Sequence, residues 1–285
     1  MAIRNVHHLN CGTMCPVGGW LLGQKGLGRG RLVAHCVLLE TDRDDLVLID
    51  TGFGTRDVAH QTPLRRSFRA MVGPRLDADE PAIVQIRALG LDPRAVRHIV
   101  VTHLDVDHAG GLSDFPEARV HVHAREHAAA MARTRPIERQ RYLPEHWSHG
   151  PRWEVYSEDG DTWRGLPAIT RLRGLDADVA LVPMHGHTRG HSAVIAPAGD
   201  RWLVHAGDAY FHRRTVEGGA APIGIAAFER YTQIDGAARR ASAAALRQLR
   251  EHYTDLDVFC AHDPVELDAL AAAAPALRAA APRPA

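Results

Sequence analysis

Lysine is nearly absent from the sequence: Lys25 is the only lysine among 34 basic residues, which 34 acidic residues balance. A formal net charge of +0 provides no global field to attract nucleic acid or an anionic membrane, so we expect neither partner. Cysteine is also scarce, and four scattered residues cannot form a disulfide framework. No apolar run reaches the length of a membrane span, and no signal-peptide core follows the N-terminus. We therefore expect a cytoplasmic protein.

Histidine, by contrast, is abundant, with 19 residues among 285, and it is the commonest metal ligand in proteins. Hydrophobic residues make up 45% of the chain and charged residues 24%, which is typical of a globular protein. The length is sufficient for one large core. We predict a single domain over residues 1–270 and an Ala/Pro-rich tail over residues 271–285. Whether the chain forms a homodimer stays open.

Hydrophobic patterns predict an α/β chain. Strand-like runs at 32–40 and 46–50 flank a polar turn, which favours a hairpin. Proline at position 81 and glycine at position 90 bound a predicted helix at 81–89, and apolar positions at helical spacing predict another at 236–252. The same criteria predict strands at 97–101, 119–123, 179–182, 202–204 and 258–260, and a helix at 124–133.

A loop rich in metal-ligand residues directly follows the β-branched run at 97–101. It contains His103, Asp105, Asp107 and His108, and a glycine pair comes after it. Side chains at i and i+2 of an extended segment share a face, so the first three can converge while His108 turns toward a second centre. We predict a metal site here; the alternative is a solvated polar loop.

This H-x-D-x-D-H segment resembles the H-x-H-x-D-H signature of the metallo-β-lactamase superfamily, with Asp105 in the place of one histidine. Three later parts of the family pattern follow in order, each after an apolar run: the G-H-T-R-G-H segment at 186–191, the Gly-Asp pair ending at Asp208, and His262. The resemblance implies the metallo-β-lactamase fold, a four-layer αβ/βα sandwich in which two mixed sheets face each other beneath outer helices.

The resemblance also implies two divalent metal ions. His103, Asp105 and His187 would hold the first ion. Asp107, His108 and His262 would hold the second, and Asp208 would bridge both. The family pattern further assigns supporting roles to Asp50, which would orient a metal-bound imidazole, and to His191. We expect zinc, although the harder carboxylate of Asp105 shifts the preference toward manganese or iron.

The predicted reaction is attack of a metal-bound hydroxide on a small-molecule carboxylic ester, and Asp107 and Asp208 would be catalytic carboxylates. The motif set most resembles the N-acyl-homoserine lactonase branch, which favours a lactone substrate. In that branch a tyrosine shortly after the bridging aspartate contacts the substrate, and this assigns Tyr210. A thioesterase, β-lactamase or phosphodiesterase would use the same metals. Two other classes stay open: a diiron redox protein, disfavoured because we expect no flavodoxin-like domain, and a metal-binding protein without turnover.

Residues 134–178 differ from the rest in their low periodicity and aromatic content. Three of the five tryptophans of the chain lie here, at positions 147, 153 and 163. Because the segment is inserted between His108 and His187, we predict an aromatic cap that hangs over the metal centre and forms an apolar substrate wall. The alternative is that these rings pack the segment onto the body of the protein.

Overall fold

The computed structural model describes residues 2–158, 160–175 and 177–280, and within them two six-stranded mixed sheets face each other. The strands of the first sheet, in spatial order, are β1 (Ile3–Asn10), β2 (His35–Thr41), β3 (Leu46–Ile49), β4 (Val96–Val100), β5 (Arg119–His123) and β6 (Arg152–Tyr156). Those of the second sheet, in chain order, are β7 (Asp161–Trp163), β8 (Leu166–Arg171), β9 (Ala180–Pro183), β10 (Ser192–Ala198), β11 (Arg201–His205) and β12 (Leu256–Phe259). The α-helices are α1 (Thr55–Val58), α2 (Arg66–Val72), α3 (Ala82–Ala88), α4 (Val106–Ala109), α5 (Ala124–Ala132), α6 (Pro136–Arg141), α7 (Ile223–Thr232), α8 (Gly236–His252) and α9 (Pro264–Ala280).

Each sheet combines antiparallel and parallel pairs. Strands β1, β2 and β3 pair antiparallel, and β3 to β6 continue in parallel. In the second sheet only β11 and β12 are parallel. The predicted hairpin is confirmed as β2 and β3, and the helices predicted at 81–89 and 236–252 are confirmed as α3 and α8.

Three of the four apolar clusters among the described residues hold the layers together. Alternate residues of neighbouring strands point to opposite faces, so Val37 and Val100 pack between the sheets while Leu38 and Ile99 face the outer helices α3 and α5. On the second sheet, Val204 and Val258 lie beneath Leu246 and Leu249 of α8. A buried aliphatic side chain of this kind contributes about 1.5–3 kcal/mol. The predicted four-layer sandwich is therefore confirmed.

The segment expected to form a cap is divided between α6, which lines the cleft through Ile137 and Gln140, and the three strands β6, β7 and β8. Residues 152–156 form β6, the edge strand of the first sheet, and 161–171 include the hairpin of β7 and β8. Trp147 and Trp153 belong to the core beneath the first helix layer, while Trp163 packs against Trp202. The aromatic substrate wall is therefore wrong for these three rings, which pack the segment onto the body. For Trp153, the alternation Arg-Trp-Glu-Val-Tyr in β6 is the strand pattern that explains this position.

No helix among the described residues is long and apolar enough to cross a membrane. The first ten positions of the predicted tail at 271–285 continue α9, and positions 281–285 lie outside the described residues. The single domain over 1–270 stays a prediction.

Candidate metal centre

The predicted ligands lie in four loops that follow strands. His103, His187, Asp208 and His262 come within four residues of the ends of β4, β9, β11 and β12, respectively. The loop after β4 turns directly into α4, whose first turn carries Asp107 and His108. Because these loops meet at one edge of the two facing sheets, residues far apart in the sequence share a single buried site.

The first ligand set consists of His103, Asp105 and His187. Asp105 Oδ2 lies 3.1 Å from His187 Nε2 and 3.5 Å from His103 Nε2. All three side chains are buried, and their facing atoms fall within 4.8 Å of one another. This is a spacing at which one ion can contact all three ligand atoms.

The second ligand set consists of Asp107, His108 and His262. His262 Nε2 lies 3.8 Å from Asp107 Oδ2, and the two imidazole rings are 5.4 Å apart between centroids. The facing atoms of this set also lie within 4.8 Å of one another.

Asp208 lies between the two sets and divides its carboxylate between them. Its Oδ2 is 3.2 Å from His187 Nε2 and 3.6 Å from His103 Nε2. Its Oδ1 is 3.3 Å from His108 Nε2 and 3.1 Å from His262 Nε2. His262 Nε2 also lies 3.2 Å from Oδ2, so Oδ1 faces the second set while Oδ2 lies near both sets. A carboxylate in this position can bridge two ions.

The protonation of the rings fits metal ligation. His108 Nδ1–H donates to Asp50 Oδ2 over 2.8 Å, and His262 Nδ1–H donates to the Val33 carbonyl over 2.7 Å. His103 Nδ1–H donates to the Thr102 hydroxyl over 2.9 Å. Each of these rings thereby keeps a lone pair on Nε2 and aims it at the centre. Among the described residues, the Nε2 atoms of His103 and His108 and the Oδ1 of Asp208 are buried without a hydrogen-bond partner, as expected for cation ligands.

The electrostatics of the site also favour cations. Burial opposes ionisation of Asp208, but the surrounding rings, His262 first, outweigh it and hold the pKa of this carboxyl well below its usual value. Burial likewise opposes charge on His108, yet Asp208 and Asp50 raise the pKa of this ring well above normal, so a cation that binds at Nε2 would displace a proton there. Burial lowers the pKa of His187 to about 4, so this ring is a neutral imidazole at neutral pH. The buried carboxylates thus draw positive charge to the centre.

Asp50 and Thr102 form the layer beneath the ligands. Besides His108, Asp50 accepts the Thr102 backbone N–H at Oδ1 and the Thr102 hydroxyl at Oδ2, both over 2.7 Å. Since the same hydroxyl accepts from His103, Asp50 orients one ring of each ligand set, the first through Thr102 and the second directly. Asp50 adopts a left-handed backbone with φ of 54°, which Asp tolerates better than most residues.

His191 supports the loop that carries Asp208. Its Nε2 accepts the Asp208 backbone N–H over 2.8 Å and its Nδ1–H donates to the Met184 carbonyl, so neither nitrogen faces the centre. Gly207 has a φ of +51°, and a Cβ there would lie 2.6 Å from His191 Nε2. The Gly-Asp pair of the motif is therefore a packing requirement as well as a source of the bridging carboxylate.

Sequence reasoning missed Glu126 of α5, although it joins two ligand loops. Its Oε1 accepts the Leu104 N–H and the Tyr142 hydroxyl, each over 3.0 Å. Its Oε2 accepts the Thr188 hydroxyl over 2.6 Å and the Gly190 N–H over 3.1 Å. This fully buried carboxylate ties the loop of His103 to the loop of His187. No local pattern marks it, because all four donors lie at least 16 residues away along the chain.

Arg141 at the end of α6 was also missed. Its Nε lies 3.2 Å from Asp105 Oδ1, and its Nη2 lies 3.4 Å from His187 Nε2. The guanidinium also donates to the carbonyls of His187 and Thr232, each over 2.9 Å. A buried positive charge therefore stands directly beside the first ligand set.

Tyr210 does not face the centre, so its predicted contact with substrate is wrong. The side chain is fully buried in the core beneath α8, and its hydroxyl donates to Glu266 Oε1 over 3.2 Å. The adjacent Phe211 faces the site instead, with its ring centroid 5.6 Å from that of His187 and 4.8 Å from that of His262. The one-residue offset reverses the side-chain direction.

A separate group of His123, Glu158 and His185 lies outside the centre. The Nδ1 of His123 accepts the Arg125 backbone N–H over 3.2 Å at the start of α5, which leaves the ring proton on Nε2. This is the opposite tautomer to that of His103, His108 and His262, and it does not present a lone pair to an ion. His123 is therefore a helix cap.

An apolar cleft opens above the two ligand sets. Asp105, Asp107, His187, Asp208 and His262 lie at its floor, and Arg65 and Gln140 contribute polar groups to its lining. The apolar walls include Met14, Leu32, Phe68, Val106, Phe211 and Phe228. The arrangement suits a small molecule with an apolar part and one polar reacting group.

Comparison with known proteins points to one family. Residues 29–262 match the family model described as the metallo-beta-lactamase superfamily. A probable metallo-hydrolase of Mycobacterium tuberculosis is 43% identical over 261 residues, which cover 91% of this chain and 80% of the relative. An N-acyl homoserine lactonase of Azorhizobium caulinodans is 28% identical over 123 residues, or 43% of this chain and 44% of that protein. In structure, an N-acyl homoserine lactone hydrolase with N-hexanoyl-L-homoserine bound at its catalytic metal centre superposes with a TM-score of 0.70 at 19% identity, covering 94% of this chain and 97% of that one.

Proposed function

The chain belongs to the metallo-β-lactamase superfamily and is a metallohydrolase of that fold; from this premise we propose that it opens a carboxylic ester, specifically a lactone, at a dinuclear metal centre. The observation that carries the proposal is Asp208, whose carboxylate lies between two separate ligand sets and is close to atoms of both. A single-ion site would not use a carboxylate in this way.

The proposed ligands divide as the distances suggest. His103, Asp105 and His187 hold one ion, and Asp107, His108 and His262 hold the other, with Asp208 between them. Four imidazoles among seven ligands favour zinc, while three carboxylates leave manganese and iron as competitors. When bound, two such ions activate a water and polarise the carbonyl that it attacks.

The surrounding residues prepare the ligands before any substrate enters. Asp50 keeps the proton of His108 on Nδ1, and Thr102 keeps that of His103 on Nδ1, so both Nε2 lone pairs stay directed at the centre. His191 fixes the backbone of Asp208, and Glu126 fixes the two loops relative to each other. The centre is therefore held by rigid contacts.

The cleft supports the choice of a lactone with an apolar substituent. Phe211 lies against the rings of His187 and His262, and Val106 and Phe228 extend the apolar wall away from the centre. An acyl chain could lie along this wall while the lactone carbonyl approaches the floor. The lactonase named among the relatives, and the solved lactone hydrolase with its bound product, make this the first substrate class to test.

The test is acid release, followed with a pH indicator, from acyl-homoserine lactones of increasing chain length, simple lactones and aryl esters. The blank is Asp208→Ala, and the matched control is Asp92→Ala, which removes an exposed aspartate paired with Arg94 on the surface. We expect turnover in the wild type and the control, none in the blank, and a preference for longer acyl chains.

Absence of lactone and ester turnover in protein that carries metal would reject the proposed substrate. Nitrocefin, an acyl thioester and a phosphodiester would then distinguish the other hydrolases. Iron together with the absorption of an oxo bridge would instead favour a diiron redox protein. Full activity in Asp208→Ala would reject the bridged centre itself.

A further inference from the structure

The first ligand set differs from the family signature by a carboxylate, and the structure places a buried cation against that same carboxylate. Asp105 occupies the position of a histidine in the H-x-H-x-D-H signature. Its Oδ1 faces Arg141 Nε at 3.2 Å, while its Oδ2 faces His187 and His103. One oxygen is thus within ion-pair distance of the arginine, although Nε and Oδ1 are not aligned for a hydrogen bond, and the other is directed at the ion position.

Arg141 is fixed from several sides. Its side chain is 8% exposed, and it donates to the His187 carbonyl and to the Thr232 carbonyl at the end of α7. An arginine keeps its charge throughout the pH range in which proteins are stable. The two side chains therefore form a buried ion pair, with Nε 3.2 Å from Oδ1.

A buried arginine beside a metal site is costly unless its charge is cancelled. Arg141 Nη2 lies only 3.4 Å from His187 Nε2, a proposed ligand atom, so an unpaired guanidinium would repel a cation bound there. With Asp105 in place, the formal charges of the pair sum to zero, as for a neutral imidazole. The carboxylate and the guanidinium together reproduce the charge of the residue that they replace.

We propose that Asp105 and Arg141 act as one unit, in which Arg141 is a positioning residue that restricts Asp105 to one ligand oxygen and cancels its charge. The unit rests on the dinuclear centre proposed above. By the family signature alone, Asp105→His restores the usual ligand and should retain activity and bind zinc more tightly. With Arg141 present, the new imidazole leaves a guanidinium unpaired beside the first ion.

The test is metal content after equilibration with zinc and gel filtration, measured by mass spectrometry, for Asp105→His, Arg141→Met and the double variant. We expect about two ions per chain in the wild type, about one in Asp105→His, and about two again in Asp105→His/Arg141→Met. The affinity for the weaker ion should fall by about tenfold or more in the single variant and recover in the double variant. Cobalt substitution provides an absorption spectrum as a second readout.

The matched control is Arg239→Met. Arg239 is another buried arginine, paired with Glu229 over 3.2 Å, and its backbone packs against Gly186 in the loop of His187, but its guanidinium contacts none of the proposed ligands. Asp105→His/Arg239→Met should not recover the lost ion. Recovery there, or a full metal complement in Asp105→His alone, would overturn the proposal.

If Asp105→His does not fold, the metal preference of Arg141→Met provides the test of the proposal. An uncancelled carboxylate should shift the preference of the first ion from zinc toward manganese by about tenfold, and an unchanged preference would overturn the proposal. Failure of the lactone assay in a wild type that carries two ions would reject the proposed substrate but would not contradict the proposed role of Asp105 and Arg141. A wild type that takes up no ion would reject both.

Discussion

Replacing Glu126 by glutamine separates the role of its charge from that of its shape, because each of its oxygens accepts one donor that cannot reverse. Leu104 N–H points at Oε1 and Gly190 N–H points at Oε2. An amide has only one oxygen, so whichever way the new side chain turns, its NH₂ faces a backbone N–H. The hydroxyls of Tyr142 and Thr188 can rotate, but the backbone cannot.

The cost of Glu126→Gln follows from this count. One buried N–H loses its acceptor, which costs about 1–3 kcal/mol, and the remaining bonds lose their charge. Glutamine also removes the cost of burying a charge, and this gain offsets part of the weakening of the remaining hydrogen bonds. We therefore expect a loss of about 2–4 kcal/mol in the free energy of unfolding. The assay is urea unfolding of the metal-loaded protein, followed by tryptophan fluorescence at pH 7.

Glu266 is the matched control because only one of its donors is fixed. Its Oε2 accepts the Cys260 N–H over 2.9 Å, whereas its Oε1 accepts the rotatable Tyr210 hydroxyl over 3.2 Å. Glutamine can therefore keep the first bond and donate to the tyrosine oxygen. A loss in Glu126→Gln no larger than that in Glu266→Gln would refute the reasoning, since both residues are buried glutamates.

The stability of Glu266→Gln relative to the wild type should also depend on pH. Burial raises the pKa of Glu266 from 4.5 to about 7. Between these values the unfolded carboxyl ionises while the folded one stays protonated, so the contribution present below pH 4.5 is lost as the pH rises to 7. The loss amounts to about 3 kcal/mol. Glu266→Gln removes it, so relative to wild type the variant should gain up to about that amount between pH 4.5 and pH 8.

Three further variants test individual contacts. Asp50→Asn keeps the left-handed backbone but loses the carboxylate that orients His108, so metal affinity, measured by competition with a chromophoric chelator, should fall about 10–100-fold; unchanged affinity would contradict the role of Asp50. Tyr210→Phe removes a hydroxyl that points away from the cleft, so kcat/KM should stay within about twofold while stability falls by about 1 kcal/mol. A large fall in kcat/KM would show that Tyr210 contributes to the active site. Gly207→Ala places a Cβ 2.6 Å from His191 Nε2 and should lower metal content through the displaced loop of Asp208; a normal metal content would show that the loop adapts.

The sequence predicts those features whose pattern lies within a few neighbouring residues. The hairpin of β2 and β3 consists of two apolar runs around a polar turn, β5 alternates and α8 has helical spacing, and the structure contains all of them. The seven metal-ligand positions come from short motifs after apolar strands, and the structure brings their side chains to one centre. Such motifs are readable because the residues that define each of them are neighbours in the chain.

Other features depended on tertiary contacts that no local pattern encodes. Glu126 and Arg141 look like ordinary helical surface residues, yet both are buried by partners from distant loops. The prediction for Tyr210 failed because a shift of one residue sends a side chain to the other face, and Phe211 occupies the inward position. The aromatic wall is wrong because its three tryptophans lie in separate elements: Trp147 in a turn before β6, Trp153 in β6 and Trp163 in β7. Other residues of the segment, Ile137 and Gln140, do line the cleft.

The order of the strands in the two sheets has a consequence for how this chain could be divided. All strands of the first sheet lie before residue 157 and all strands of the second lie after residue 160, so the backbone passes between the sheets once. Four of the seven ligand residues belong to the first half and three to the second. Two fragments separated at this crossing would each carry a complete sheet and an incomplete centre. Their reassembly should therefore depend on metal, so that the two halves would complement each other only when ions are bound.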